Sequence, residues 1–114
     1  MYNYITLLEG QCKYVRVCPL SELPEGERIF IEVDNNPIVI LNLAGKIFAI
    51  ADVCSHDNGP VGDGETEGET IKCPRHGAVF DLNTGKAIRL PAVEDIAAYP
   101  VRVVDGYLEI GLPK

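Results

Sequence analysis

The chain has 114 residues, 46% of them hydrophobic, and a formal net charge of −7 at pH 7. That length sets a single domain with one modest core and an ordinary soluble composition, and the acidic balance lacks the basic footprint that phosphate binding needs, which argues against a nucleic-acid partner. It fits steering toward a basic patch on a protein partner, and equally a charge that keeps a small protein dissolved.

In chain order, Met1-Tyr2-Asn3-Tyr4-Ile5 has no basic segment of a signal peptide. No apolar run reaches the ~18 residues of a membrane helix, so the expectation is a cytoplasmic protein with no membrane partner. Cys12 and Cys18 bracket a strand-like run centred on Lys13–Val17. A regular strand would hold the two about 20 Å apart at ~3.3 Å per residue, too far for a disulfide. Their even separation puts both on one face, as core or sheet-face residues without a cofactor role. Ser21-Glu22-Leu23, ahead of Pro24, has room for one helical turn at most. Arg28–Val33, Pro37–Leu43 and Lys46–Ala51 are rich in Val, Ile and Phe and read as strands, with turns at Asp34-Asn35-Asn36-Pro37 and Ala44-Gly45.

Residues 52–82 read differently. They contain Gly59, Pro60, Gly62, Gly64, Gly68, Pro74 and Gly77, a density that suits loops wrapped closely around an inorganic object. Glu69–Cys73 and Val79–Leu82 are predicted strands within this segment, the second ended by Asn83-Thr84-Gly85. Beyond it, Tyr99–Val104 and Tyr107–Ile110 flank Asp105-Gly106, a strong hairpin signal. No long 3.6-residue period is present. Short strands closely spaced by turns predict an all-β antiparallel sandwich or small barrel, one domain over 1–114, with a small subdomain at about 52–82.

Four residues in that subdomain carry metal-ligand chemistry: Cys54, His56, Cys73 and His76. They stand as Cys-Ser-His at 54–56 and Cys-Pro-Arg-His at 73–76, and the chain's two histidines are both among them. Two sulfurs and two nitrogens suit a tetrahedral zinc ion or an iron–sulfur cluster. Common structural zinc sites keep like ligands together, whereas here each loop supplies one thiolate and one imidazole, an alternation that favours the cluster.

The pattern resembles the Rieske-type [2Fe–2S] motif, in which two His replace two Cys on one iron. Gly59-Pro60 after the first half, Gly77-Ala78-Val79-Phe80-Asp81 after the second, Leu23-Pro24-Glu25-Gly26 and the closing strands are similar to that family too, so the resemblance covers roughly residues 12–112. It implies a Rieske-like fold in which Cys54 and Cys73 bind an inner iron, and His56 and His76 an outer iron nearer solvent. Formally, two thiolates cancel the +2 charge of the oxidised core and neutral imidazoles add nothing. Such a site takes an electron more readily than an all-thiolate one, and its imidazoles allow coupled proton uptake.

High-potential members of the family carry Ser and Tyr hydroxyls where Ala78 and Phe80 stand, and a cysteine pair, joined as a disulfide, where Gly59 and Arg75 stand. The departures imply a potential at the low end of the roughly −150 to +300 mV range; Phe80 also fits plain core packing. Pro74 is expected to stiffen the second loop and Gly77 to allow close backbone approach. Pro91 is either a third loop over the cluster or an ordinary turn. Arg75 reads as surface charge or a contact with an acidic partner, and Asp63, Glu65, Glu67 and Glu69 as a solvated loop tip or part of a docking surface.

By resemblance the protein is a soluble one-electron carrier and not an enzyme itself: a ferredoxin that passes electrons from a flavin-dependent reductase to a terminal non-haem iron oxygenase. An oxygenase would need a second iron held by two further His, and none remain. The alternative is the small Rieske-like subunit of a nitrite reductase complex.

Overall fold

A computed structural model describes residues 12–54, 59–75, 77–90 and 94–113. Among these, the elements in order are β1 (Cys12–Pro19), a 3-10 turn (Leu20–Glu22), β2 (Arg28–Val33), β3 (Asn36–Leu43), β4 (Lys46–Ala51), β5 (Thr66–Glu67), β6 (Thr70–Lys72), β7 (Val79–Asp81), β8 (Ala87–Arg89), β9 (Ala98–Tyr99), β10 (Val101–Val104) and β11 (Tyr107–Pro113). They form three sheets, ordered β1-β11-β10, β2-β3-β4-β9 and β5-β6-β7-β8, with every ladder antiparallel. The all-β class expected from the turn spacing is what the chain adopts, and no helix among the described residues is long and apolar enough to cross a membrane.

Turn chemistry explains the scaffold. The β2–β3, β3–β4 and β10–β11 hairpins each close on two residues of positive φ: Asp34 and Asn35 (52° and 67°), Ala44 and Gly45 (53° and 90°), Asp105 and Gly106 (52° and 81°). Such a pair is the signature of a type I′ turn, whose twist matches that of the strands it joins. The core runs through β3, where Ile38, Val39, Ile40 and Leu41 are all fully buried, and continues into Phe48–Ala51 and into Leu108, Ile110 and Leu112. β3 therefore has apolar residues on both faces, as a strand flanked on both edges and covered on both sides requires. The small sheet β5-β6-β7-β8 has its own buried set, Ile71, Phe80 and Leu82, and carries the second Cys/His segment between β6 and β7.

Two expectations need correction. Cys12 and Cys18 do not share a face. The β1–β11 ladder pairs Cys12 with Pro113 and Cys18 with Leu108, and its register shifts between Arg16 and Cys18. Partners on β11 of opposite parity put the two thiols on opposite faces, because a bulge inserts one residue and inverts the alternation. The run Tyr99–Val104 is not one strand. Pro100 offers no N–H to a ladder, and it marks the switch from β9, which pairs with β4, to β10, which pairs with β11. The strands β5 and β8 went unpredicted, since two or three residues beside turn glycines show no alternation to read.

Candidate metal centre

The two Cys/His segments form loops that close in the same way. The Cys54 N–H donates to the Gly59 carbonyl at 2.7 Å, and the Cys73 N–H donates to the Ala78 carbonyl at 2.6 Å. Each cysteine thus stands at the mouth of a loop whose fifth following residue returns to bond its own backbone. Both thiols are buried, Cys54 at 0% and Cys73 at 1% exposure, and neither is in a disulfide. The second loop is tightened further by the Gly77 N–H, which donates to the Cys73 carbonyl at 3.1 Å. Gly77 has φ +78°, a conformation that a side chain disfavours. Its glycine serves that backbone turn, and among the described protein atoms a Cβ there would meet nothing nearer than the Lys72 Cε at 3.5 Å. His56, His76 and Pro91 lie outside the described residues.

Side chains far off in sequence hold the segment between the loops. The Asp52 Oδ1 accepts from the Val61 N–H at 3.0 Å and the Gly62 N–H at 2.7 Å. The Arg28 Nη1 donates to the Gly62 carbonyl and, at 3.0 Å, to the Gly64 carbonyl. Gly62 sits where a Cβ would stand 2.6 Å from the Phe30 ring, and a Cβ on Gly64 would collide with the Lys72 carbonyl. The Lys72 N–H in turn donates to the Glu65 carbonyl at 2.9 Å. Residues 61–65 are thereby pressed against the strand that leads into Cys73. Sequence reading missed Arg28 and Asp52. Asp52 gave a signal, a short acceptor at the mouth of a glycine-rich loop; Arg28 gave none.

The remaining residues fall into place around this frame. Ala78 and Phe80 are fully buried, so Phe80 packs the core of the small sheet and neither side chain carries a hydroxyl. Arg75 is exposed, and its guanidinium crosses to the first loop. A Cβ on Gly59 would stand 2.7 Å from its Nη2 and 2.8 Å from its Cζ. The positions that carry the disulfide in high-potential relatives are therefore in contact here, without sulfur. A cavity of about 470 Å3 lies against the second loop, lined by Asp63, Glu65, Lys72, Cys73, Pro74, Arg75 and Gly77. Glu69 is engaged elsewhere: the Asn83 Nδ2 donates to it at 2.7 Å and the Lys46 Nζ at 3.2 Å. Outside the site, burial and then the Glu22 charge push the Cys18 thiol up, which keeps it protonated and a poor soft-metal ligand.

The donor chemistry fits an iron–sulfur group. Two buried cysteines outside any disulfide stand at equivalent places in two touching loops, each with a histidine two or three residues on. Soft thiolates and imidazoles in equal number are the Rieske donor set.

Comparison with known proteins gives the same answer. The model of the Rieske [2Fe-2S] domain matches residues 13–100. The chain is 41% identical over 102 residues to the 3-phenylpropionate/cinnamic acid dioxygenase ferredoxin subunit of Shigella flexneri serotype 5b (strain 8401), covering 88% of this chain and 94% of that one. It is similar in structure to the ferredoxin of carbazole 1,9a-dioxygenase from Nocardioides aromaticivorans IC177, with TM-score 0.78 and 31% identity over 89% of this chain and 98% of that one. A nitrite reductase small subunit from Mycobacterium tuberculosis shares the fold alone, with TM-score 0.78 at 18% identity over 90% of this chain and 97% of that one.

Proposed function

Because the chain belongs to the Rieske [2Fe–2S] family, we propose that Cys54, His56, Cys73 and His76 hold its single [2Fe–2S] cluster, and that the protein is a one-electron carrier between a flavin-dependent reductase and a terminal non-haem iron oxygenase in the cytoplasm. The observation that carries this reading is the pair of buried cysteines, each of whose N–H groups closes on the carbonyl five residues further on. The dioxygenase ferredoxin subunits among its relatives support the carrier role over the nitrite reductase alternative, which shares the fold at 18% identity.

The group supplies one-electron redox chemistry. The chain's own part is to bind and shield. Cys54 and Cys73, withdrawn from solvent, would hold the group on its shielded side, and His56 and His76 would be its other two ligands. Asp52 and Arg28 fix the segment between the loops. Residues 52–82 act as the cluster-binding subdomain in this reading. The carrier transforms no substrate.

A redox titration followed by electron paramagnetic resonance tests the proposal. The purified brown protein is expected to show a Rieske spectrum with a midpoint below about 0 mV, since the Ala78 and Phe80 side chains carry no hydroxyl to donate to the site. His76→Ala is expected to abolish that spectrum. A variant that kept the parent spectrum and potential would sink the ligand assignment, and a colourless zinc protein would sink the cofactor.

A further inference from the structure

The contact between Arg75 and Gly59 joins the two cysteine loops, and no part of the carrier reading uses it. Arg75 lies in the second loop, two residues after Cys73. Gly59 is the residue whose carbonyl closes the first loop on the Cys54 N–H. The guanidinium occupies the space where any side chain at Gly59 would begin, within 2.7–3.1 Å of a Cβ built there. A planar, permanently charged group is suited to lie flat on a bare backbone, and lysine is not its equal there.

We propose that Arg75 and Gly59 form a non-covalent clasp across the cluster loops, and that Arg75 is a positioning residue which both holds the loops together and favours the reduced state. The inference rests on the ligand assignment above. The site gains one negative charge on reduction, and a cation pinned beside it lowers the energy of that charge. The clasp does what a disulfide would do between the same positions. It also adds a charge that a disulfide lacks and cannot be opened by thiol reductants.

Three variants test it. Arg75→Ala is expected to lower the midpoint potential by the equivalent of about fivefold in the one-electron equilibrium, and to speed loss of the visible spectrum to a chelator several-fold. The potential difference is expected to narrow as salt rises. Arg75→Lys keeps a charge but not the flat stack. It is expected to retain most of the potential while losing the cluster as fast as Arg75→Ala. Gly59→Ala pushes aside only the end of a flexible side chain, so the protein is expected to fold and to lose the cluster faster, with a smaller fall in potential. An Arg75→Ala protein with parent potential and parent lifetime overturns the proposal. So does a shorter lifetime with an unmoved potential, which would make Arg75 a structural brace only. A parent protein without the Rieske spectrum overturns the ligand assignment instead, and the clasp with it.

Discussion

The Asp105-Gly106 hairpin and the Cys73–Ala78 loop both reverse the chain, but they are specified at different ranges. The hairpin needs only two residues that accept positive φ, at 52° and 81°, and a Cβ added at Gly106 would meet no heavy atom within 4 Å. The cysteine loop returns on itself over five residues, and the segment packed against the strand leading into it is tied by Arg28, 34 residues from Gly62 and 36 from Gly64. Local backbone preference builds the scaffold; remote side chains build the site. Damage to a hairpin should therefore stay local in cost and leave the redox centre alone, whereas damage to the ties should reach both stability and the cluster.

The strongest way to break this contrast is Asp52→Ala. It strips the shared acceptor from the buried N–H groups of Val61 and Gly62, each worth about 1–3 kcal/mol when left unsatisfied. A loss of about 2–4 kcal/mol in urea denaturation is expected, together with faster bleaching of the cluster. Gly106→Ala should cost about 1 kcal/mol for the left-handed backbone, with an unchanged redox midpoint; a shifted midpoint would dissolve the distinction between scaffold and site. Ala78→Ser leaves the fold nearly untouched in volume and places a hydroxyl in the second loop. The midpoint is expected to rise, and an unchanged value would mean the hydroxyl does not reach a cluster sulfur.

The smallest effect belongs to Glu69. The Asn83 hydrogen bond first, and then Lys46, holds its carboxyl below the usual carboxylate range. A depressed folded pKa gives stability that is present above the unfolded pKa and is lost as pH falls through the folded value. Glu69→Gln should thus lower the urea midpoint slightly at neutral pH and match the parent in acid, the gap shrinking with salt because the pair is exposed.

What could be read from the chain follows the same division. Asp34-Asn35-Asn36-Pro37 and Ala44-Gly45 announced turns, and Asp105-Gly106 a hairpin, because turn chemistry is written in adjacent residues; the first turn proves shorter, closing on Asp34 and Asn35. Cys54, His56, Cys73 and His76 carried the expectation of a metal centre because ligand chemistry restricts both type and spacing, and the Rieske domain match over residues 13–100 agrees with the kind of cofactor expected. The bulge at Arg16–Cys18 was hidden, since it follows from register against β11, about a hundred residues away in sequence. The sheet switch at Pro100 had a visible signal, a proline inside a strand run, which the flanking Tyr and Val outweighed. Arg28 was illegible for a deeper reason: an arginine at a strand start looks the same whether it faces water or the carbonyls of a loop.

The seat of β11 has a consequence for the order of events during synthesis. It lies between β1 and β10, and it is made after both cysteine loops. Until Tyr107–Pro113 leaves the ribosome, β1 lacks the strand it pairs with in this sheet. The loops and the small sheet β5-β6-β7-β8 are already complete by then. Whatever delivers iron and sulfide can therefore meet both cysteine segments while β1 still waits for β11 to fill the place between it and β10.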